Sequence, residues 1–124
     1  MNVVDSSGWI EYLRGDQNAR YFASAIEDAD ALLVPTVCIV EVYRHALVHL
    51  GSEEALRIVA GMQRGRVIDL NRGIALSAAE LGLQLELPLA DSIILATARA
   101  HGATLWTQDA DFEGLEGVRY TPNR

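Results

Sequence analysis

Five short apolar runs punctuate the chain, and longer stretches of helical periodicity separate them. Asn2-Val3-Val4, Leu32-Leu33-Val34, Arg66 to Leu70, Ala103 to Trp106 and Val118-Arg119-Tyr120 read as strands. Leu32-Leu33-Val34 has no polar face, which predicts burial on both sides. After the first strand, Ser6-Ser7 offers a helix cap. Trp9, Ile10 and Leu13 then recur at helical spacing until Gly15-Asp16 breaks the pattern. Residues 17–28 form a second predicted helix with Tyr21, Phe22, Ala25 and Ile26 inward. Pro35-Thr36 opens a long helix to about Leu50, with Thr36 as its expected cap. Ser52-Glu53-Glu54 opens another, its acids at the positive end of the helix dipole. Asn71 caps a helix through about Leu83. Pro88 lies in the first turn of a helix to His101, which Gly102 terminates.

Strands that alternate with helices imply a parallel sheet joined by right-handed crossovers. The predicted fold is α/β: a three-layer α/β/α sandwich around a central, mainly parallel five-stranded sheet. At 124 residues, with no linker or repeat, residues 1–124 are expected to form a single domain. Half the residues are hydrophobic, which excludes disorder as the main state. Cys38 is the one cysteine, so no internal disulfide forms and a reducing compartment fits. The longest apolar run, Ala31 to Val40, is about half of the ~20 residues that a spanning helix needs. The first residues carry no basic flank and no long apolar stretch. A cytoplasmic location without a membrane role is therefore expected.

A net charge of −7 argues at first against a nucleic-acid binder, because neutralising phosphate takes cations. Every basic side chain is arginine, the better fork for phosphate, and there is no lysine. The missing lysine excludes the usual phosphate loop and the protein-kinase site. It also counts against receiver-like and dehalogenase-like phosphotransfer, as does the lack of an Asp-x-Asp after the first strand.

The placement of four acids changes the picture. Asp5 directly follows the first strand, and Asp109 follows the fourth by about two residues. Sites in open parallel sheets form outside the carboxyl ends of the strands. Glu41 interrupts an apolar run early in the long third helix. Asp91 lies in the first turn of a nearly all-apolar helix, which predicts burial near the same rim. Taken singly, each has a plainer account. Asp5 can be a helix cap, Asp91 can satisfy first-turn amides, Glu41 can pair with Arg44, and Asp109-Ala110-Asp111 can be an Asx turn. Four carboxylates converging on one rim repel one another, and a cation resolves that repulsion. Hard oxygen ligands select Mg²⁺ or Mn²⁺, and phosphodiester hydrolysis is the chemistry such a site suits.

Val4-Asp5-Ser6-Ser7-Gly8-Trp9, Glu41, Leu89 to Ala98 and Leu105 to Phe112, in this order and spacing, resemble the PIN-domain ribonucleases. Within that family they look most like the VapC-type toxins of bacterial toxin–antitoxin pairs, over nearly the full length. The resemblance implies Asp5, Glu41, Asp91 and Asp109 as the catalytic quartet. Asp5, Asp91 and Asp109 would be ligands for Mg²⁺ or Mn²⁺, and Glu41 would hold a second ion or orient the attacking water. Ser6 and Thr107 resemble the supporting hydroxyls, and Asp111 matches a more variable supporting position. It further implies an endoribonuclease acting on RNA as a toxin that inhibits translation or growth, a homodimer, and a cognate antitoxin whose segment blocks the metal site. DNA would be bound only through that antitoxin. A PIN nuclease of RNA processing and a non-catalytic PIN-like partner-binding module are the alternatives.

Other features carry less. His45 and His49 stand four apart on one helix, but zinc needs a third protein ligand. Trp9 and Trp106 flank strand ends and read as core before they read as base-stacking platforms. Arg14, Arg44 and Arg99 read as solvated helix surface that lies near enough to touch phosphate.

Overall fold

A computed structural model of the protein describes residues 1–123. The strands are β1 (Asn2–Val4), β2 (Leu32–Pro35), β3 (Arg66–Ile68), β4 (Thr104–Thr107) and β5 (Val118–Tyr120). The helices are α1 (Ser6–Arg14), α2 (Ala19–Ile26), α3 (Thr36–Leu50), α4 (Ser52–Met62), α5 (Arg72–Leu85) and α6 (Leu89–Ala100). The sheet order is β3-β2-β1-β4-β5, and all four pairings are parallel. The chain therefore steps outward from β1 through β2 to β3, then returns across the sheet to β4 and β5. Right-handed crossovers in opposite directions place helices on both faces, giving an α/β sandwich. The reversal falls between β1 and β4, where Val3 pairs with Leu105 and Val4 with Trp106. A crevice opens there, outside the strands' carboxyl ends.

The core is built on the central strands. Val3, Val4, Leu33, Val34 and Leu105 are sealed from solvent together with Phe22, Met62 and Phe112. The predicted apolar helix is α6, and Ser92 and Ile94 to Ala98 are buried in it. Its start is thereby pinned over the crevice. Gly8 decides how closely α1 sits on the sheet. A Cβ there would lie 2.6 Å from Val4 Cγ1 and 2.7 Å from Phe22 Cε1.

Several boundaries differ from expectation. Asp5, not Ser6 or Ser7, caps α1, with its side chain accepting from the Gly8 N–H. Thr36 does not cap α3; Pro35 ends β2 and occupies the cap position without a side-chain bond. Thr36 Oγ1 instead accepts the Leu70 N–H at 3.3 Å. The third strand stops at Ile68, because Asp69 and Leu70 already turn outward and are exposed. The second helix starts at Ala19, since a turn at 17–18 buries Asn18 before it.

Candidate active site

The five acids of interest arrive from four segments. Asp5 ends β1, and its backbone N–H donates to the Trp106 carbonyl at 3.1 Å, which ties it across the switch point. Its side chain is 2% exposed. Oδ1 accepts from the Gly8 N–H at 2.9 Å and from Ser7 Oγ at 2.8 Å, and Oδ2 accepts from Thr107 Oγ1 at 2.6 Å. Burial raises its carboxyl to about 6 from an ordinary 3.8. The donors of Thr107, Gly8 and Ser7 pull the other way, and Asp109 adds to the rise.

Glu41 sits in the second turn of α3 and is half-buried. Its Oε1 accepts from Ser6 Oγ at 2.6 Å. Among the described residues Arg44 forms no ion pair with it. The two hydroxyls flagged in the sequence thus divide the acids between them: Ser6 holds Glu41 and Thr107 holds Asp5.

Asp91 is the third residue of α6 and half-buried. Pro88 caps this helix with no side-chain bond, so Asp91 is not consumed by capping. Among the described residues its carboxylate receives no hydrogen bond. Burial raises it to about 7, and the charges of Asp109, Asp5, Glu41 and Asp111 add to that in this order. It is the point on which the other acids converge.

Asp109 follows β4 and caps a 3-10 turn over Ala110–Phe112. Its Oδ1 accepts the Asp111 N–H at 2.9 Å, and its own N–H donates to Thr107 Oγ1 at 2.9 Å. The Asx turn and the acid cleft are therefore the same structure, and the plain account of these residues does not exclude the functional one. Carboxylate oxygens of Asp91, Asp109 and Asp111 lie within 4.8 Å of one another. Among the described residues this is the one such group of three or more metal-binding side chains. Asp111, the supporting residue, is thus inside the tightest cluster. Asp5 stands behind it with both oxygens already accepting bonds.

The cluster fits a hard divalent cation. All its donors are carboxylate oxygens, those of Asp91 and Asp111 receive no protein hydrogen bond among the described residues, and burial with repulsion has lifted Asp91, and Asp5 beside the cluster, far above their ordinary values. A divalent cation would be held by Asp91, Asp109 and Asp111, with Asp5 and Glu41 beside them.

Sequence reasoning missed Ser7, whose hydroxyl donates to Asp5. An Asp followed two residues later by Ser at a helix start was the available signal. Trp106 and Trp9 are both core, as read. The Trp106 indole N–H donates to Asn2 Oδ1 at 2.9 Å, and the Arg119 guanidinium lies 4.2 Å from its ring centre. The His45 and His49 rings lie 4.3 Å apart at a 45° tilt, without a third ligand among the described residues. Arg14 pairs with Asp16, and Arg99 donates to the Glu116 carbonyl.

A family model for the PIN domain matches residues 3–118, and the chain belongs to the PIN-domain family. PIN domains of the VapC type are nucleases. Solved structures agree in fold. A toxin–antitoxin complex from Klebsiella pneumoniae contains a chain 26% identical, with 96% of each chain covered and a TM-score of 0.80. DNA-bound VapBC from Salmonella typhimurium is 18% identical, covering 98% of this chain and 96% of that one at a TM-score of 0.76. VapC20 from Mycobacterium tuberculosis, a Sarcin-Ricin loop cleaving toxin, is 19% identical, covering 96% and 99% at 0.75. No curated protein matches the chain in sequence.

Proposed function

We propose that this protein is a Mg²⁺- or Mn²⁺-dependent endoribonuclease, the toxin of a type II toxin–antitoxin pair that inhibits translation or growth. The observation that carries the reading is Asp91: a half-buried carboxylate with no donor, in the field of four other acids, at the switch point of a parallel sheet. No packing or capping role accounts for it, and a cation does.

Asp91, Asp109 and Asp111, whose carboxylate oxygens stand closest together, are the proposed metal ligands, with Asp5 of the expected set beside them. The cation, when bound, supplies the Lewis acidity that polarises the phosphodiester and eases ionisation of the attacking water. Bound there, a divalent cation would offset most of the charge of its ligands and give phosphate a local positive point of attachment on a chain of charge −7. Glu41 orients that water. Ser6 occupies Oε1, which leaves Oε2 to accept the water's proton. Thr107 and Ser7 keep Asp5 turned into the cleft by donating to both of its oxygens.

The partners follow from the family and from the surface. A groove of about 430 Å³ between α1, α2 and α4, apart from the acid cleft and lined by Trp9, Tyr12, Leu13, Ile26 and Met62 together with the charged Glu27, Glu54, Arg57 and Arg64, supports docking of a cognate antitoxin segment. Val40 and Val48 on α3, Leu76 and Leu83 on α5, and Leu89 on α6 are exposed, which supports a homodimer. DNA is met only through the antitoxin. Among the described residues no single helix is long and apolar enough to cross a membrane. The proposed site of action is the cytoplasm.

The test is cleavage of total cellular RNA by the purified chain in Mn²⁺ or Mg²⁺, with EDTA and Asp91→Asn controls. Discrete fragments from wild type alone, lost in EDTA, support the reading. Identical patterns from wild type and variant in both metals refute it.

A further inference from the structure

Gln108 lies between Thr107 and Asp109, yet its side chain turns away from the acids. It is 7% exposed and locked into a polar knot beneath α1. Its Oε1 accepts from Asn18 Nδ2 at 2.9 Å, and its Nε2 donates to Glu11 Oε1 at 3.1 Å. Glu11 Oε2 accepts the Asn18 backbone N–H at 2.9 Å. Asn18 Nδ2 also donates to the Pro122 carbonyl at 2.9 Å, which fastens the chain after β5.

Glu11 is itself 7% exposed, and among the described residues it has no ion-pair partner. A buried carboxylate without a cation is costly. Here the charge has a specific use, because both groups that face it are donors. An amide at this position satisfies only one of them and turns its own N–H against the other.

The knot and the cleft grip neighbouring residues from opposite sides. Thr107 donates to Asp5 and accepts the Asp109 N–H. Gln108, the next residue, is held by Glu11 and Asn18. The backbone entering Asp109 is therefore fixed at two successive positions, and Asp109 in turn fixes Asp111. We propose that Glu11 is a positioning residue for the metal-ligand loop, acting through Gln108 to set where Asp109 and Asp111 stand. This rests on the reading of the cleft as a divalent-metal site. Groups that orient ligands without touching the ion typically change its affinity by about 10–100-fold when mutated, and Glu11 acts one residue further out, through Gln108.

The experiment is Mn²⁺ titration of the full chain without RNA, followed by the paramagnetic resonance signal of free Mn²⁺, beside thermal melts. Glu11→Gln is expected to weaken Mn²⁺ binding by about tenfold or more, with RNA cleavage recovering once Mn²⁺ is raised to saturation. The double variant Glu11→Gln/Gln108→Glu moves the carboxylate across the same hydrogen bond. Its new amide accepts the Asn18 N–H and donates to the new carboxylate, whose other oxygen accepts from Asn18 Nδ2. It is expected to fold and to bind Mn²⁺ within about threefold of wild type, and it carries the test if the single variant fails to fold. Wild-type Mn²⁺ affinity in Glu11→Gln, with only a lower melting temperature, overturns the proposal. So does a double variant that folds like wild type and still binds weakly. A wild-type chain that neither binds Mn²⁺ nor cleaves RNA overturns the nuclease reading itself.

Discussion

Asp91→Asn is predicted to stabilise the metal-free protein while removing its function. Folding raises Asp91 from 3.8 to about 7, chiefly by burial and then by repulsion from Asp109. A rise of about three pH units corresponds to about 4 kcal/mol at about 1.4 kcal/mol per unit. The side chain is half exposed, so solvent screening reduces this to about 1–2 kcal/mol. The sign follows from linkage. The folded state holds its proton more tightly than the unfolded chain, so the native protein loses stability as pH rises from about 4 to about 7. The cost is absent below the unfolded value and complete above the folded one. Asparagine never ionises and never incurs it. Melts in EDTA at about pH 8 should show Asp91→Asn above wild type by roughly 3–8 °C. The gap should close by about pH 4. Asp5, raised to about 6 chiefly by burial, costs stability in both proteins, and because its charge also repels Asp91 the difference includes relief of that repulsion. Adding Mn²⁺ should raise the wild-type midpoint and leave the variant unmoved. A variant no more stable than wild type in EDTA at the higher pH, or one that Mn²⁺ stabilises equally, would falsify the assignment of Asp91 as a strained ligand.

Further outcomes follow from the same geometry. Thr107→Val removes the donor to Asp5 Oδ2 and the acceptor of the Asp109 N–H, which should cost about 1.5–3 kcal/mol in denaturant melts and weaken Mn²⁺ binding. An unchanged midpoint would show those bonds to be idle. Asp111→Asn should weaken Mn²⁺ binding by about tenfold and leave the fold intact, since the side chain is exposed; wild-type affinity would place the ion elsewhere in the cleft. Gly8→Ala puts a methyl against Val4 and Phe22 and should destabilise by about 1–3 kcal/mol, read as a lower melting temperature.

Strand and helix identities were readable along the chain because each element carries its own periodicity. Val3-Val4 and Leu32 to Val34 lie in the core, and the apolar stretch after Asp91 is the buried helix α6. Helix starts were less readable. At Asp5-Ser6-Ser7 and Pro35-Thr36 several residues compete for one cap, and the winner depends on partners distant in sequence. Ser6 is drawn to Glu41, 35 residues away, and Thr36 to the Leu70 amide, 34 away. The acids themselves were visible as charges interrupting apolar runs. Their separate uses were not, because a carboxylate that caps a turn and one that binds a cation look alike until the donors around it are placed.

Composition and pattern alone therefore decide that the chain makes an α/β sheet, that it lacks the lysine-based phosphate chemistries, and that acids sit where strands end. Local sequence encodes these through side-chain volume, periodicity and charge. Strand order is not local. Only folding puts β1 beside β4, and so Asp5 behind Asp109 with Thr107 between them. Only packing leaves Asp91 without a donor while Asp5 has three, and only the sealed space under α1 turns Glu11 and Gln108 from surface-like polar residues into a buried brace. Desolvation and the distances between groups far apart in the chain fix the chemistry of these residues, and neither exists before the fold does.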